Sequence, residues 1–121
     1  MENKKPISFP VKTREVSTKF DGKEWKFKIR EFRGLESDSF VDEAKEMSVT
    51  EEGKTIFNVR LAKLNQLRIE QGVMESSCNG EPFILKDVVN ELPSGLYQFI
   101  IKELDRINKL EGIEIKNLGR E

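Results

Sequence analysis

Hydrophobic and polar positions alternate most regularly in "TREVSTKFDGKEWKFKIREF", where Asp21-Gly22 divides two period-two segments. A two-residue hairpin turn needs positive φ at both positions, and Asp-Gly is among the pairs that supply it at least cost. The turn fixes the register. Thr18 falls opposite Trp25, Val16 opposite Phe27 and Arg14 opposite Ile29, with Phe20 beside the turn, so apolar side chains gather on one face. The other face sets Glu15 opposite Lys28 and Lys19 opposite Glu24, opposite charges contributing ~0.2–1 kcal/mol each. A slip of one residue would scatter both sets, so turn, pattern and charge predict the same hairpin.

Arg33-Gly34 ends the second strand. In "LESDSFVDEAKEM" the residues Phe40, Val41, Ala44 and Met47 recur at helical spacing behind carboxylates that suit a helix N-terminus, which predicts a helix from about Glu36 to Met47. "SVTEEGKT" reads as a turn with Gly53 at its end. The middle of the chain is ambiguous: Phe57, Leu61 and Leu64 suit a helix, whereas Phe57, Val59 and Leu61 suit a strand. We read 55–65 as a helix, and Leu67, Ile69 and Val73 as a strand on their alternation with Arg68 and Glu70. Asn79-Gly80 tolerates left-handed backbone and marks "SSCNGEP" as a turn.

A short helix is expected from Leu85 to Glu91. Pro93 then opens the last helix, where its missing N–H costs nothing. Leu96, Ile100, Leu104 and Ile107 form a stripe along that helix, widened by Tyr97, Ile101 and Leu110, while Gln98, Lys102, Asp105, Arg106 and Lys109 lie opposite. Such a helix buries one side. Phe99 falls outside the stripe and Ile100-Ile101 stand side by side, so the segment is expected to carry more apolar surface than one small sheet covers, leaving some for a partner.

The fold class expected is therefore α+β: an N-terminal antiparallel hairpin extended by a strand near Leu67 to Ser76, packed against three to four helices, the C-terminal one long. Residues 1–10, with Pro6 and Pro10, read as a loose arm, 11–111 as a single domain and 112–121 as a weakly ordered tail despite the alternation at Ile113 and Ile115. A chain of 121 residues is long enough to bury a core without staples.

Charge and composition weigh against several functional classes. Charged residues make up 36% of the chain yet the formal net charge is −1, which argues against a dedicated nucleic-acid binder with its basic stripe. No apolar run approaches the ~20 residues of a membrane span, and "MENKKPISFPVK" lacks the apolar core of a signal peptide. The single Cys78 cannot form an internal disulfide, which fits a reducing compartment. Histidine is absent, which takes away the commonest general base and metal ligand.

The remaining candidate chemistry has plainer explanations. Trp25, Phe27 and Ile29 on one strand face are core. Lys26, Lys28 and Arg30 face acidic partners and are expected to be solvated. Cys78 has no histidine to activate it. Glu36, Asp38, Asp42 and Glu43 complement a helix start without a metal. Lys54 follows "TEEG", which lacks the upstream glycine and apolar strand of a phosphate-binding loop. No cofactor or metal is expected.

The order "WKFKIREFRGLES", a variable helical middle, "VMESSCNGEPF" and "VVNELPSGLYQFIIKELDRIN" resembles the tail assembly chaperones of long-tailed bacteriophages and prophages. The resemblance runs from about residue 14 to 110, and its motifs are short and mostly hydrophobic. Arg30-Glu31, Asn79-Gly80, Leu92-Pro93 and the segment from Leu104 to Asn108 occupy the family's places. It implies a non-enzymatic protein of the host cytoplasm that binds the tape measure protein and tail tube subunits, and reversible homo-oligomers would fit the same surface. Neither nucleic acid nor membrane is implied. Leu96, Phe99, Ile100, Leu104 and Ile107 are then candidates for partner or core contacts, and Leu35, Phe40 and Val41 for an opposing wall. Two rivals stand beside it: a structural subunit of a tail or baseplate, and a small enzyme or nucleic-acid modulator.

Overall fold

The computed structural model describes residues 7–108. The elements are β1 (Thr13–Phe20), β2 (Lys23–Arg30), α1 (Gly34–Ala44), β3 (Lys45–Val49), β4 (Thr55–Val59), α2 (Leu61–Gly72), β5 (Val73–Cys78), β6 (Glu81–Phe83), α3 (Leu85–Val88) with a 3-10 turn (Val89–Glu91), and α4 (Ser94–Ile107). They form a mixed α+β fold with one four-stranded antiparallel sheet, ordered β1-β2-β5-β6, and a separate two-stranded sheet, β3-β4. The tail 112–121 and Leu110 lie outside the described residues.

The first hairpin has the expected register, with Val16 opposite Phe27 and Thr18 opposite Trp25, and Asp21 and Gly22 both take positive φ, +53° and +74°. Asn79 and Gly80 repeat that conformation between β5 and β6. The Asn79 side chain accepts from the Glu24 N–H at 2.8 Å, which ties the second turn to β2. The cross-strand charges sit in register but close on other partners: Lys28 lies 3.5 Å from Glu75, and Lys26 lies 3.8 Å from Glu24.

Helix α4 crosses β1 and β2. Its Leu96, Ile100, Leu104 and Ile107 are buried with Val16, Phe27 and Ile29 of the sheet and Ile69 of α2. Each such aliphatic side chain contributes ~1.5–3 kcal/mol by leaving water. Phe99 is half-buried, its ring 6.4 Å from that of Phe27.

Three expectations are corrected in the middle of the chain. The first helix stops at Ala44, and Met47 belongs to β3. Residues 55–59 form a strand, and helix begins only at Leu61. Leu67 and Ile69 lie within that helix, so the third strand of the large sheet starts at Val73. Helix α2 packs against α1 on one side and α4 on another, so residues two apart in it can both be buried. Gly72 closes α2 where a Cβ would come 2.7 Å from both Leu104 Cδ2 and Phe32 Cζ.

Arg30 is not a solvated surface cation. Its guanidinium holds Glu36 through two bonds of 2.8 Å, its Nε donates to the Gln71 carbonyl at 2.9 Å, and it lies 5.1 Å from the centre of the Phe32 ring. One side chain thus joins β2, α1 and α2. The bond from Arg30, followed by the Arg33 N–H, holds the Glu36 carboxyl down at about 2, below its usual 4.5. Because the folded pKa is the lower one, the stabilisation is complete above pH 4.5 and disappears as pH falls towards 2. After discounting for partial exposure, Glu36→Gln is expected to cost about 1–2 kcal/mol at neutral pH in urea unfolding, a gap that closes on acidification. A gap of constant size at all pH values would contradict the pairing.

Candidate functional site

The α4 stripe is core in the folded chain rather than free surface: Leu96, Ile100, Leu104 and Ile107 are buried, so the surplus expected on that helix is not found there. Phe40 is buried as well, its ring meeting Phe32 edge-on at 4.9 Å. Val41 is half-buried and lines a small cavity with Phe40, Leu64 and Asn108, beside the end of α4. Leu35 stands apart, 85% exposed. The structure therefore brings Phe40 and Val41 to the C-terminal end of α4 and leaves Leu35 elsewhere.

The apolar surplus lies instead on the β3-β4 hairpin. This pair leaves the body between α1 and α2, closed at its base by the Arg60 N–H donating to the Ala44 carbonyl at 2.9 Å, with Ala44 itself buried. At its far end the Thr50 N–H donates to the Lys54 carbonyl at 2.8 Å, and Gly53 takes a φ of +81°. Met47 pairs with Phe57, Val49 with Thr55 and Lys45 with Val59, so alternation puts Met47, Val49, Phe57 and Val59 on one face. Glu46, Ser48, Ile56 and Asn58 take the other.

Among the described residues nothing covers the apolar face. Met47 is 65%, Val49 66% and Phe57 63% exposed, and every residue of both strands is exposed. A lone two-stranded hairpin is marginal in water, and soluble proteins rarely keep such clusters bare without use. The sequence signal existed: Met47-Val49 and Phe57-Val59 each keep period two. Two residues are too few to outvote the helical spacing of Phe40, Val41, Ala44 and Met47.

A second feature is an open cleft of about 660 Å³ between the β2 and β5-β6 ends and the start of α4. Trp25, Phe83, Val88, Leu92 and Leu96 line it, with Lys23, Glu81 and the thiol-bearing Cys78 at its walls. Trp25 is fixed there by its indole N–H donating to the Phe20 carbonyl at 3.2 Å and by an edge-on contact with Phe83 at 5.7 Å. The cleft offers shape and apolar contact, with Cys78 opposite Glu81 across the β5-β6 pair.

Other charged clusters are internal ties. Arg68 of α2 bonds Asp105 of α4, and Arg106 bonds Glu103 at 2.7 Å along one helix. Among the described residues no group of histidine, cysteine or carboxylate side chains is arranged to hold a metal ion, and no helix is long and apolar enough to cross a membrane. The exposed chemistry that stands out is a bare apolar β-surface, suited to contact with another macromolecule.

Compared with family models, with curated proteins and with solved structures, the chain matches none.

Proposed function

We propose that the protein is a binding-only assembly chaperone of a phage tail, working in the host cytoplasm on the tape measure protein and tail tube subunits. The class of partner rests on the resemblance of the residue 14–110 segment. The observation that carries the binding role is the exposed face of Met47, Val49, Phe57 and Val59, on a hairpin that contributes nothing to the core of the described residues. A long helical client prone to self-association would lay an apolar stripe along such a face, which is about as wide as one helix. This shifts the contact surface from α4 to the hairpin and leaves the proposed job unchanged.

Co-expression with the tape measure protein of the same phage or prophage tests the proposal. The expected result is a larger soluble yield of the client and co-elution of both chains in size-exclusion chromatography. If the client is equally soluble alone and the two elute separately, the chaperone reading fails. A retained structural subunit of a tail or baseplate is the second reading, favoured by the same projecting hairpin, since such an arm can lock a subunit to its neighbour. Finding the protein in purified particles would select it.

A further inference from the structure

The outer edge of β4 differs from its apolar face and makes a separate demand. The bonds that close the hairpin, Arg60 to Ala44 and Thr50 to Lys54, fix which backbone groups it uses. In an antiparallel ladder, bonded pairs alternate with non-bonded ones, so Glu46 with Asn58 and Ser48 with Ile56 exchange the inner bonds. Thr55, Phe57 and Val59 therefore turn their N–H and C=O groups outward, where no strand among the described residues meets them. Exposed edges are ordinarily guarded by lysine, proline or a bulge. β4 reads Thr-Ile-Phe-Asn-Val and has none of these, and its register with β3 is regular.

We propose that β4 pairs with β4 of a second copy of this chain, antiparallel about a two-fold axis centred on Phe57. In that register Phe57 faces its counterpart and Thr55 faces Val59 in both directions. Every outward N–H and C=O of the three residues then finds a partner, two bonds per pair. Centring the axis one residue away, on Ile56 or Asn58, leaves some of these groups unpaired. The product is a four-stranded sheet, β3-β4-β4-β3, beyond the two-strand limit of stability. An axis perpendicular to the sheet keeps Met47, Val49, Phe57 and Val59 of both copies on one face.

The charges at the ends give this pairing an unusual salt dependence. Lys54 falls opposite Arg60 of the second copy at both ends, and like charges directly opposed oppose association. Salt screens them, so the dimer tightens as ionic strength rises. The contact is an edge with its flanking side chains, below the ~1,000 Å² of a typical stable interface, so the dimer is weak and reversible. The pairing is independent of the chaperone reading: a monomer that still retains the client sinks the pairing alone, and a dimer that ignores the client sinks the other alone.

Sedimentation velocity of the full chain from about 5 to about 500 μM, at about 50 mM and about 500 mM NaCl, tests it. The expected result is a monomer–dimer equilibrium whose Kd falls several-fold at the higher salt. Thr55→Pro removes an outward N–H and spares the inner ladder, so it should raise Kd at least about tenfold while circular dichroism stays native. Phe57→Lys, which puts like charges on the axis without changing the backbone, should raise Kd most at low salt. Val49→Ser, on the far strand, should leave it unchanged. A wild-type monomer throughout, a dimer loosened by salt, a Thr55→Pro or Phe57→Lys chain that dimerises as well as wild type, or an equal loss in Val49→Ser would each overturn the proposal.

Discussion

Leu104→Ala is expected to lower the free energy of unfolding by about 2–5 kcal/mol, the range for emptying a fully buried leucine site. Leu104 is completely buried between the first hairpin and α2, and its Cδ2 occupies the space a side chain at Gly72 would need. Gly72→Ala alone should also destabilise, by about 1–3 kcal/mol through overpacking, partly offset by the better helix propensity of alanine. The pair should not add. With Leu104 shortened, the methyl at position 72 loses the Leu104 Cδ2 obstacle and meets only Phe32, so the double variant should be more stable than the sum of the single losses predicts by about 1 kcal/mol. Urea unfolding of the four proteins measures this. A small loss in Leu104→Ala, or strict additivity, would mean that α4 is not seated where the structure places it.

The second large effect falls on binding and leaves stability alone. Met47→Ser combined with Phe57→Ser removes the centre of the bare face, where the two side chains are directly paired. Exposed side chains outside the core change stability by about 0.5 kcal/mol or less, so the thermal midpoint should hardly move. On the proposed chaperone reading, retention of the tape measure protein in the co-expression assay should fall at least about tenfold, as when a central apolar anchor is lost. Leu35→Ser, which removes an exposed leucine away from the hairpin, serves as the control and should retain the client. Were the hairpin variant to hold the client as well as wild type, the contact surface would have to be sought elsewhere, beginning with the cleft beside Trp25.

The first hairpin was legible because its determinants are local and agree. The Asp21-Gly22 turn, the apolar alternation and the cross-strand charges each specify one register, and it is the observed one. Helix α4 was legible for a similar reason, its stripe repeating through Leu96, Ile100, Leu104 and Ile107. What the stripe could not reveal was how much of it the fold would cover, because α2 packs on α4 beside β1 and β2 and completes a larger wall than the hairpin alone offers.

The middle of the chain misled for identifiable reasons. Lys45, Glu46 and Met47 are good helix formers, and nothing local stops α1 at Ala44; the strand there exists because Met47 meets Phe57 across a ten-residue separation. Conversely, the alternation of Leu67 and Ile69 looked like a strand because α2 is contacted from more than one side. The apolar face depends on both segments, β3 and β4. Once residues 55–59 are read as helix, the partner strand that gathers the apolar face vanishes from view. Arg30 was misjudged for a related reason, since Glu36 and Gln71 reach it only after α1 and α2 have docked.

Because the Arg60 N–H reaches the Ala44 carbonyl, the chain is pinched shut at the hairpin's root, and what projects beyond it is joined to the body only there. A change in its length or sequence is therefore expected to leave the seam between α1 and α2 undisturbed. On the proposed chaperone reading, a scaffold of this kind could follow a changing client by altering its arm alone.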